Sequence, residues 1–404
     1  MKRFVFAFSL PLLMGLLAFG NSVTFELEGL ERLCFLAEAS YSFSLGDFSF
    51  NYSGGIGKGY GIVHPYIVEP LRNFVEFYYF SKASLGVKMG PVEMEGGILH
   101  EERGPGIDKL FLDDNPRFYG FPGLSLRASA GKVRFETLWL NLSVPGRAFT
   151  KGFNYRTLVL EFGNLSVAYE DSVVYTDKPF DPYYFFVPLP PLAIQEFWYQ
   201  SSPWQSRIDH NALMGGWVEY RFESGRIYAE FLIDDLSLNR LLGRGGYLNP
   251  DKVAFLFGGE YEGSSWKLYA EVSGASAYTF QRTHPDVPYE YTYFDEGPIE
   301  GRMIGYKYGE NSLSFKVGVE TELMGLNLRL SYHYLIHGDR TPEVPWHGGD
   351  MPPDTKWLVG NVEQGHGFRV DVSKSLKGWR VGGFFEANSR TGMTVGVVMS
   401  LALP

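Results

Sequence analysis

A single cysteine, Cys34, is all the chain has, which excludes an intrachain disulfide framework and a cysteine-based zinc cluster. Its neighbours Glu31-Arg32-Leu33 are not the small residues that a lipidation site needs. The histidines, among them His100, His210, His333, His337 and His366, show no H-x-x-x-H spacing, so no metal is expected. No G-x-S-x-G elbow supports a serine esterase. Gly55-Ile56-Gly57-Lys58-Gly59 opens no helix and is no phosphate cradle, so no cofactor is expected either. Long basic runs are missing and the net charge is -10. Nucleic acid is therefore excluded as a partner, because phosphate binding needs a positive footprint.

Long apolar runs are missing too. Beyond the N-terminus no stretch approaches the ~20 residues of a membrane helix. The longest candidate, Tyr183 to Ile194, contains Pro188, Pro190 and Pro191, and proline removes helix donors. It reads as a loop, or as an inward-folded constriction. The N-terminus itself reads as an export leader: Lys2 and Arg3, then an apolar run from Phe4 to Phe19, with Ala18 and Gly20 placed for cleavage before Asn21. The expected organisation is a signal peptide over 1–20 and one domain over 21–404.

What the chain has in excess is glycine, 48 of 404 residues, and aromatics at 17%. That pairing suits a sheet with many tight turns and aromatic girdles. The stretch Gly123 to Trp139 sets the pattern. Leu124, Leu126 and Ala128 alternate with Ser125, Arg127 and Ser129; after Ala130-Gly131, Val133, Phe135 and Trp139 alternate with Lys132, Arg134 and Glu136, and the alternation blurs after Thr137. Successive strand residues point to opposite faces, so this is a hairpin with one oily and one wet face. Leu313 to Tyr334 repeats it: Val317, Val319 and Leu323 oppose Lys316, Glu320 and Glu322. Leu36 to Phe43 begins the strand pattern, whereas the glycine-rich Asn51 to Gly61 reads as a loop.

Charges sit in mid-strand on the wet rows, as at Arg134, Glu136, Lys267, Glu271, Lys316, Glu320 and Arg329. Short turns (Ala130-Gly131, Gly163-Asn164, near Gly225 and Gly325, and Asn388 to Gly392) alternate with long loops near 171–208, 281–300 and 337–357. Short turns on the inner side and long loops outside are the habit of membrane barrels. The expected fold is all-β: a single large antiparallel transmembrane β-barrel in the outer membrane. With about 9–11 residues per tilted span and its connections, the length suits about 18 strands, with 16 also possible. A secreted sandwich or propeller is the other reading.

Two stretches carry a resemblance. One is Gly104-Pro105-Gly106, Leu110-Phe111-Leu112-Asp113-Asp114-Asn115-Pro116 and Phe121-Pro122-Gly123-Leu124. The other is Tyr228 to Asp235, Tyr261 to Val272 and Gly305-Tyr306-Lys307-Tyr308-Gly309-Glu310-Asn311. Together they resemble the capsule-assembly Wzi family of outer-membrane proteins, from about residue 98 onward. The resemblance implies an outer-membrane barrel that binds surface polysaccharide and helps attach it to the cell. Arg103 departs from it, standing where the family often has Trp.

Candidate contacts follow from residue type. Trp198, Tyr199, Trp204, Tyr289, Tyr291, Trp346 and Trp357 lie in long loops and can offer flat faces to sugar rings; the competing role is an interfacial belt. Arg103 and Arg302 can pair acidic sugars through the guanidinium fork, or pair lumen carboxylates. Asp113-Asp114 and Asp234-Asp235 can bind a ligand or simply cap backbone donors at turns. The expected partners are membrane lipid and surface polysaccharide. The reading is non-catalytic, with a porin as first alternative and an outer-membrane hydrolase as second; glycoside hydrolysis would need two carboxylates at a set separation.

Overall fold

The computed structural model describes residues 22–28, 34–60, 75–113, 119–143, 150–176, 178–195, 210–236, 250–281, 291–293, 302–339 and 356–402. It is a closed antiparallel barrel of 18 strands. In chain order these are β1 (Ser22–Glu28), β2 (Cys34–Leu45), β3 (Phe48–Lys58), β4 (Phe77–Met89), β5 (Val92–Leu99) and β6 (Phe121–Ala130). Next come β7 (Val133–Asn141), β8 (Lys151–Phe162), β9 (Leu165–Thr176), β10 (His210–Phe222), β11 (Gly225–Asp235) and β12 (Lys252–Glu262). The last are β13 (Trp266–Ala275), β14 (Ser312–Leu323), β15 (Leu326–His337), β16 (Glu363–Leu376), β17 (Trp379–Asn388) and β18 (Gly392–Ala402). Each pairs with its neighbours in sequence, and β1 closes the ring by pairing both β2 and β18. Closure leaves no strand edge unpaired, which is the condition for a sheet to sit in lipid.

The expected fold class is met, and the register explains why. Ile227, Phe231, Phe257, Phe315 and Val397 point outward and are exposed, Ile227 at 56%. On the same strands Arg226, Glu230, Lys316 and Glu260 point inward. An oily belt of this extent has no place in water. Turns of two or three residues join the strands at one end, and long connections leave from the other.

Three local expectations are corrected. The glycine-rich run from Asn51 is not a loop: it belongs to β3, paired with β2 as far as Lys58 and with β4 as far as Gly57, with a register shift between Ser53 and Gly54 on the β4 side. The Phe77 ring of β4 lies over Gly57 where a side chain would otherwise stand. The turn between Asn388 and Gly392 is short, but it lies at the long-loop end, because it joins β17 to β18. A first strand, β1, precedes the expected start near Leu36.

The proline-rich segment does not fold inward. Two short helices, α1 (Pro182–Phe186) and α2 (Pro191–Ala193), lie on the outer face of the wall, against β7, β9 and β10. Asp181 caps α1 by accepting from the Tyr183 N–H, with Pro182 in the first turn. Tyr184 packs on Tyr175 and shares a 2.6 Å hydrogen bond with His210 Nδ1. Under this strap lies an ion pair on the lipid-facing side. Arg156 donates to both oxygens of Asp171 at 2.9 and 3.0 Å, and its remaining donors reach the carbonyls of Val187 and Leu189. The strap turns a polar patch of wall into one whose outer surface is Phe186, Leu189 and Leu192.

Candidate functional site: a hairpin held inside the barrel

The long connection after β5 turns back into the lumen. Arg103 and Leu112 pair as an antiparallel bridge, so residues 103–112 form a hairpin with Gly104-Pro105-Gly106 on its descending side. Leu110, Phe111 and Leu112 are fully buried and pack with Leu138, Leu140, Phe153, Leu232 and Leu256 of the inner wall. From the connection after β13, Tyr291, Tyr293, Met303, Ile304 and Tyr306 join the same core. The Asp113 N–H donates to the Ile304 carbonyl at 2.7 Å, and the Tyr291 hydroxyl donates to the Phe111 carbonyl at 2.6 Å. The upper lumen beside these strands is thus a packed apolar core like that of a soluble protein. This is why the alternation in β7 blurs after Thr137: Leu138 and Leu140 face the hairpin rather than water.

Charge fixes the hairpin lower down. Glu271 of β13 accepts the N–H groups of Ile107 and Asp108 at 2.6 and 2.8 Å. Asp108, fully buried, is met by Lys316 of β14, by Lys307 at 3.5 Å and by the Ser273 hydroxyl at 2.7 Å. Burial pushes this carboxyl up, but the two ammonium groups outweigh it and hold it well below the usual carboxylate range. Arg103 donates to Glu136 of β7 and to Glu101 at 2.8 Å. Burial opposes its charge, yet Glu136 and Glu101 together raise its pKa. Glu101 is likewise resisted by burial and drawn below its ordinary value by Arg103 and Lys82.

The motifs that carried the resemblance meet here. A side chain at Gly104 (φ +117°) would stand 2.9 Å from the Glu230 carboxylate, and one at Gly305 would stand 2.0 Å from the Leu110 carbonyl. Both positions therefore need glycine for close approach. Asp234 accepts the Phe280 N–H at 2.6 Å, holding a turn in which Tyr278 and Phe280 both have positive φ. Bulky residues seldom adopt that conformation. Asn311 pairs with the backbone of Val359 through both ends of its amide, at 2.9 and 2.7 Å.

Of the candidate contacts, Trp198, Tyr199, Trp204, Tyr289, Trp346 and Asp114 lie outside the described residues. Arg103 has most of its donors on carboxylates and on the Glu102 carbonyl. Asp113 is buried beneath the mouth, its carbonyl accepting from the Tyr293 hydroxyl at 2.9 Å. Tyr291 presents no open face, because it is fully buried. Arg302 is buried as well, and its carbonyl accepts the Tyr293 N–H. Trp357 packs on the outward-facing Phe255 and belongs to the outer wall. Asp108 was given no role from the sequence, and Glu230 entered only through the Tyr228 to Asp235 motif, although Gly104-Pro105-Gly106, a sharp turn just ahead of Asp108, marked the place.

The filling is one-sided. Inward side chains such as Leu138 of β7, Phe153 of β8, Leu232 of β11 and Leu256 of β12 are buried with the hairpin, whereas Arg369 and Asp371 of β16 and Glu386 of β17 are each about a third exposed, at 39%, 32% and 34%. Among the described residues no group of three or more His, Cys, Asp or Glu is placed to hold a metal ion.

No protein-family model matches the sequence, and no curated protein matches it. Solved structures do. Wzi of Escherichia coli, an outer membrane protein involved in group 1 capsule assembly and described as a carbohydrate-binding β-barrel, superposes with a TM-score of 0.63 at 12% identity, over 99% of this chain and 88% of that one. OccD3 (OpdP) of Pseudomonas aeruginosa gives 0.51 at 10% identity, over 94% and 90%. The outer membrane protein OpdK of the same organism gives 0.51 at 10%, over 95% and 97%. The chain therefore has the fold of these closed barrels along almost its whole length, and the resemblance seen in its motifs extends to the architecture of Wzi.

Proposed function

We propose that the chain is exported by its first 20 residues, spans an outer membrane with its 18 strands, and acts without catalysis as a surface protein that binds polysaccharide or helps attach it. The observation that carries this reading is the hairpin over residues 103–112. It fills the lumen beside β7 to β14 with a packed apolar core and buried ion pairs, an investment that serves rigidity at the long-loop end rather than transport. The aromatics Trp198, Tyr199, Trp204 and Trp346, with Arg103, Asp113 and Asp114, are the contacts assigned to the sugar. The carbohydrate-binding description of Wzi, whose fold this chain shares, supports the assignment.

The test is retention of the detergent-solubilised protein on immobilised acidic and neutral polysaccharides. Retention is expected for the wild type and lost in Trp204→Ala or Trp346→Ala; equal retention of both variants overturns the reading. A solute channel is the second reading, favoured by the partly exposed charges of β16 and β17. Stepwise ion currents in planar bilayers would support it, and a silent bilayer would remove it.

A further inference from the structure

Below the hairpin, toward the short-turn end, lies a cavity of about 290 Å³. Its ceiling is the hairpin, from Glu102 to Pro105 with Lys109, and its wall is formed by inward residues of β7 to β11. This is close to the lower bound of roughly 300 Å³ for small-molecule sites. Three features distinguish it from a packing defect. The half-buried indole of Trp217 and the phenol of Tyr155 line it, giving aromatic surface next to polar groups. Two guanidinium groups at its mouth retain donors. Arg134 is 47% exposed and its ion pair, to Glu161, is 3.9 Å long; Arg221 is 72% exposed and gives only its Nε to Glu219. Deeper in, Lys109 rests on the carbonyls of Gly104 and Gly106 at 3.1 and 2.6 Å, and no carboxylate lies within 4.0 Å of its ammonium among the described residues.

We propose that this cavity is a binding site for one sugar-acid unit, a hydroxylated ring bearing a carboxylate, entering from the short-turn end. The arginines at the mouth would take the carboxylate through their planar forks, since guanidinium matches a carboxylate bidentately. Trp217 would contact the ring, and Glu170 and Glu219 in the wall are acceptors for its hydroxyls. The neighbouring Arg226 is already committed to Glu219, Glu260 and the Pro105 carbonyl, so it positions the ceiling rather than the ligand. The ring can come as a free sugar acid or as the end of an acidic chain; the chemistry is shared. The site contains none of the loop aromatics and does not depend on them.

The experiment is titration calorimetry on the detergent-solubilised full-length protein at low salt, with glucuronate, glucose and an oligoglucuronate as probes. Glucuronate is expected to bind and glucose to bind at least tenfold more weakly. Arg134→Gln/Arg221→Gln, whose residues are exposed enough to spare the fold, should weaken glucuronate at least tenfold. Tighter binding of the oligomer would identify a chain end as the source, and equal binding a free sugar acid. No heat with glucuronate, equal binding of glucose, or an unchanged double variant overturns the proposal. The single variants Arg134→Gln and Arg221→Gln, each checked for heat-modifiable migration in gels, keep the test valid should the double variant misfold. Trp204→Ala should keep glucuronate binding whatever becomes of its retention on polysaccharide, so the two proposals fail separately.

Discussion

The two sides of the lumen are built on opposite principles. Beside β7 to β14, the charges next to the hairpin are buried in pairs, as Asp108 is with Lys316 and Arg103 with Glu136. Beside β16 and β17, Arg369, Asp371 and Glu386 form a similar cluster that water reaches. The same residue types thus do different work. A buried pair cannot lose one member cheaply, because the survivor is left as an isolated charge away from water. A wet pair contributes little, because solvent screens it.

The comparison breaks most sharply at Lys316. Lys316→Met leaves Asp108 with the Ser273 hydroxyl and only the more distant Lys307 as a cation, and removing one member of a buried pair costs about 3–5 kcal/mol. The expected result is a clear drop in the temperature at which the folded gel band disappears, with faster proteolysis inside residues 101–113. Arg103→Met should cost less, about 1–3 kcal/mol, since Lys82 and Arg127 still face Glu101 and Arg127 still faces Glu136. The same melting measurement ranks the two. Arg369→Gln in the wet cluster should change stability by less than about 1 kcal/mol, so an effect as large as that of Lys316→Met would abolish the distinction.

Acid sharpens it further. Asp108 and Glu101 have folded pKa values below their ordinary ones, so the stability they contribute is present above about pH 4 and is lost only as pH falls through the depressed values. Protection of the hairpin amides from hydrogen exchange should therefore persist at pH 5 and decline in stronger acid. A decline between pH 8 and 6 would contradict the assignment.

Where the wall faces water on one side and lipid on the other, strand periodicity was enough to read it. Lys316, Glu320 and Glu322 do face inward opposite Val317, Val319 and Leu323, as the alternation in β14 implies. It failed where a third element covers the wall. Leu138 and Leu140 face inward although apolar, because the hairpin covers them, and Arg156 and Asp171 face outward although charged, because the strap does. A period of two reports which side a residue points to, not what waits there. The hairpin was visible only as a stretch unlike a strand, with Gly104 and Gly305 fitting contacts made by residues far away in the chain.

The seam between β1 and β18 has a consequence for assembly. Ser22 lies opposite Ala402, so the ring cannot shut until nearly the entire polypeptide has been delivered. Residues 101–113 arrive long before that and are gripped by β13 and β14, which come much later. The growing sheet therefore curls around its own stopper, and a barrel that closed first would have to admit the hairpin into a finished ring.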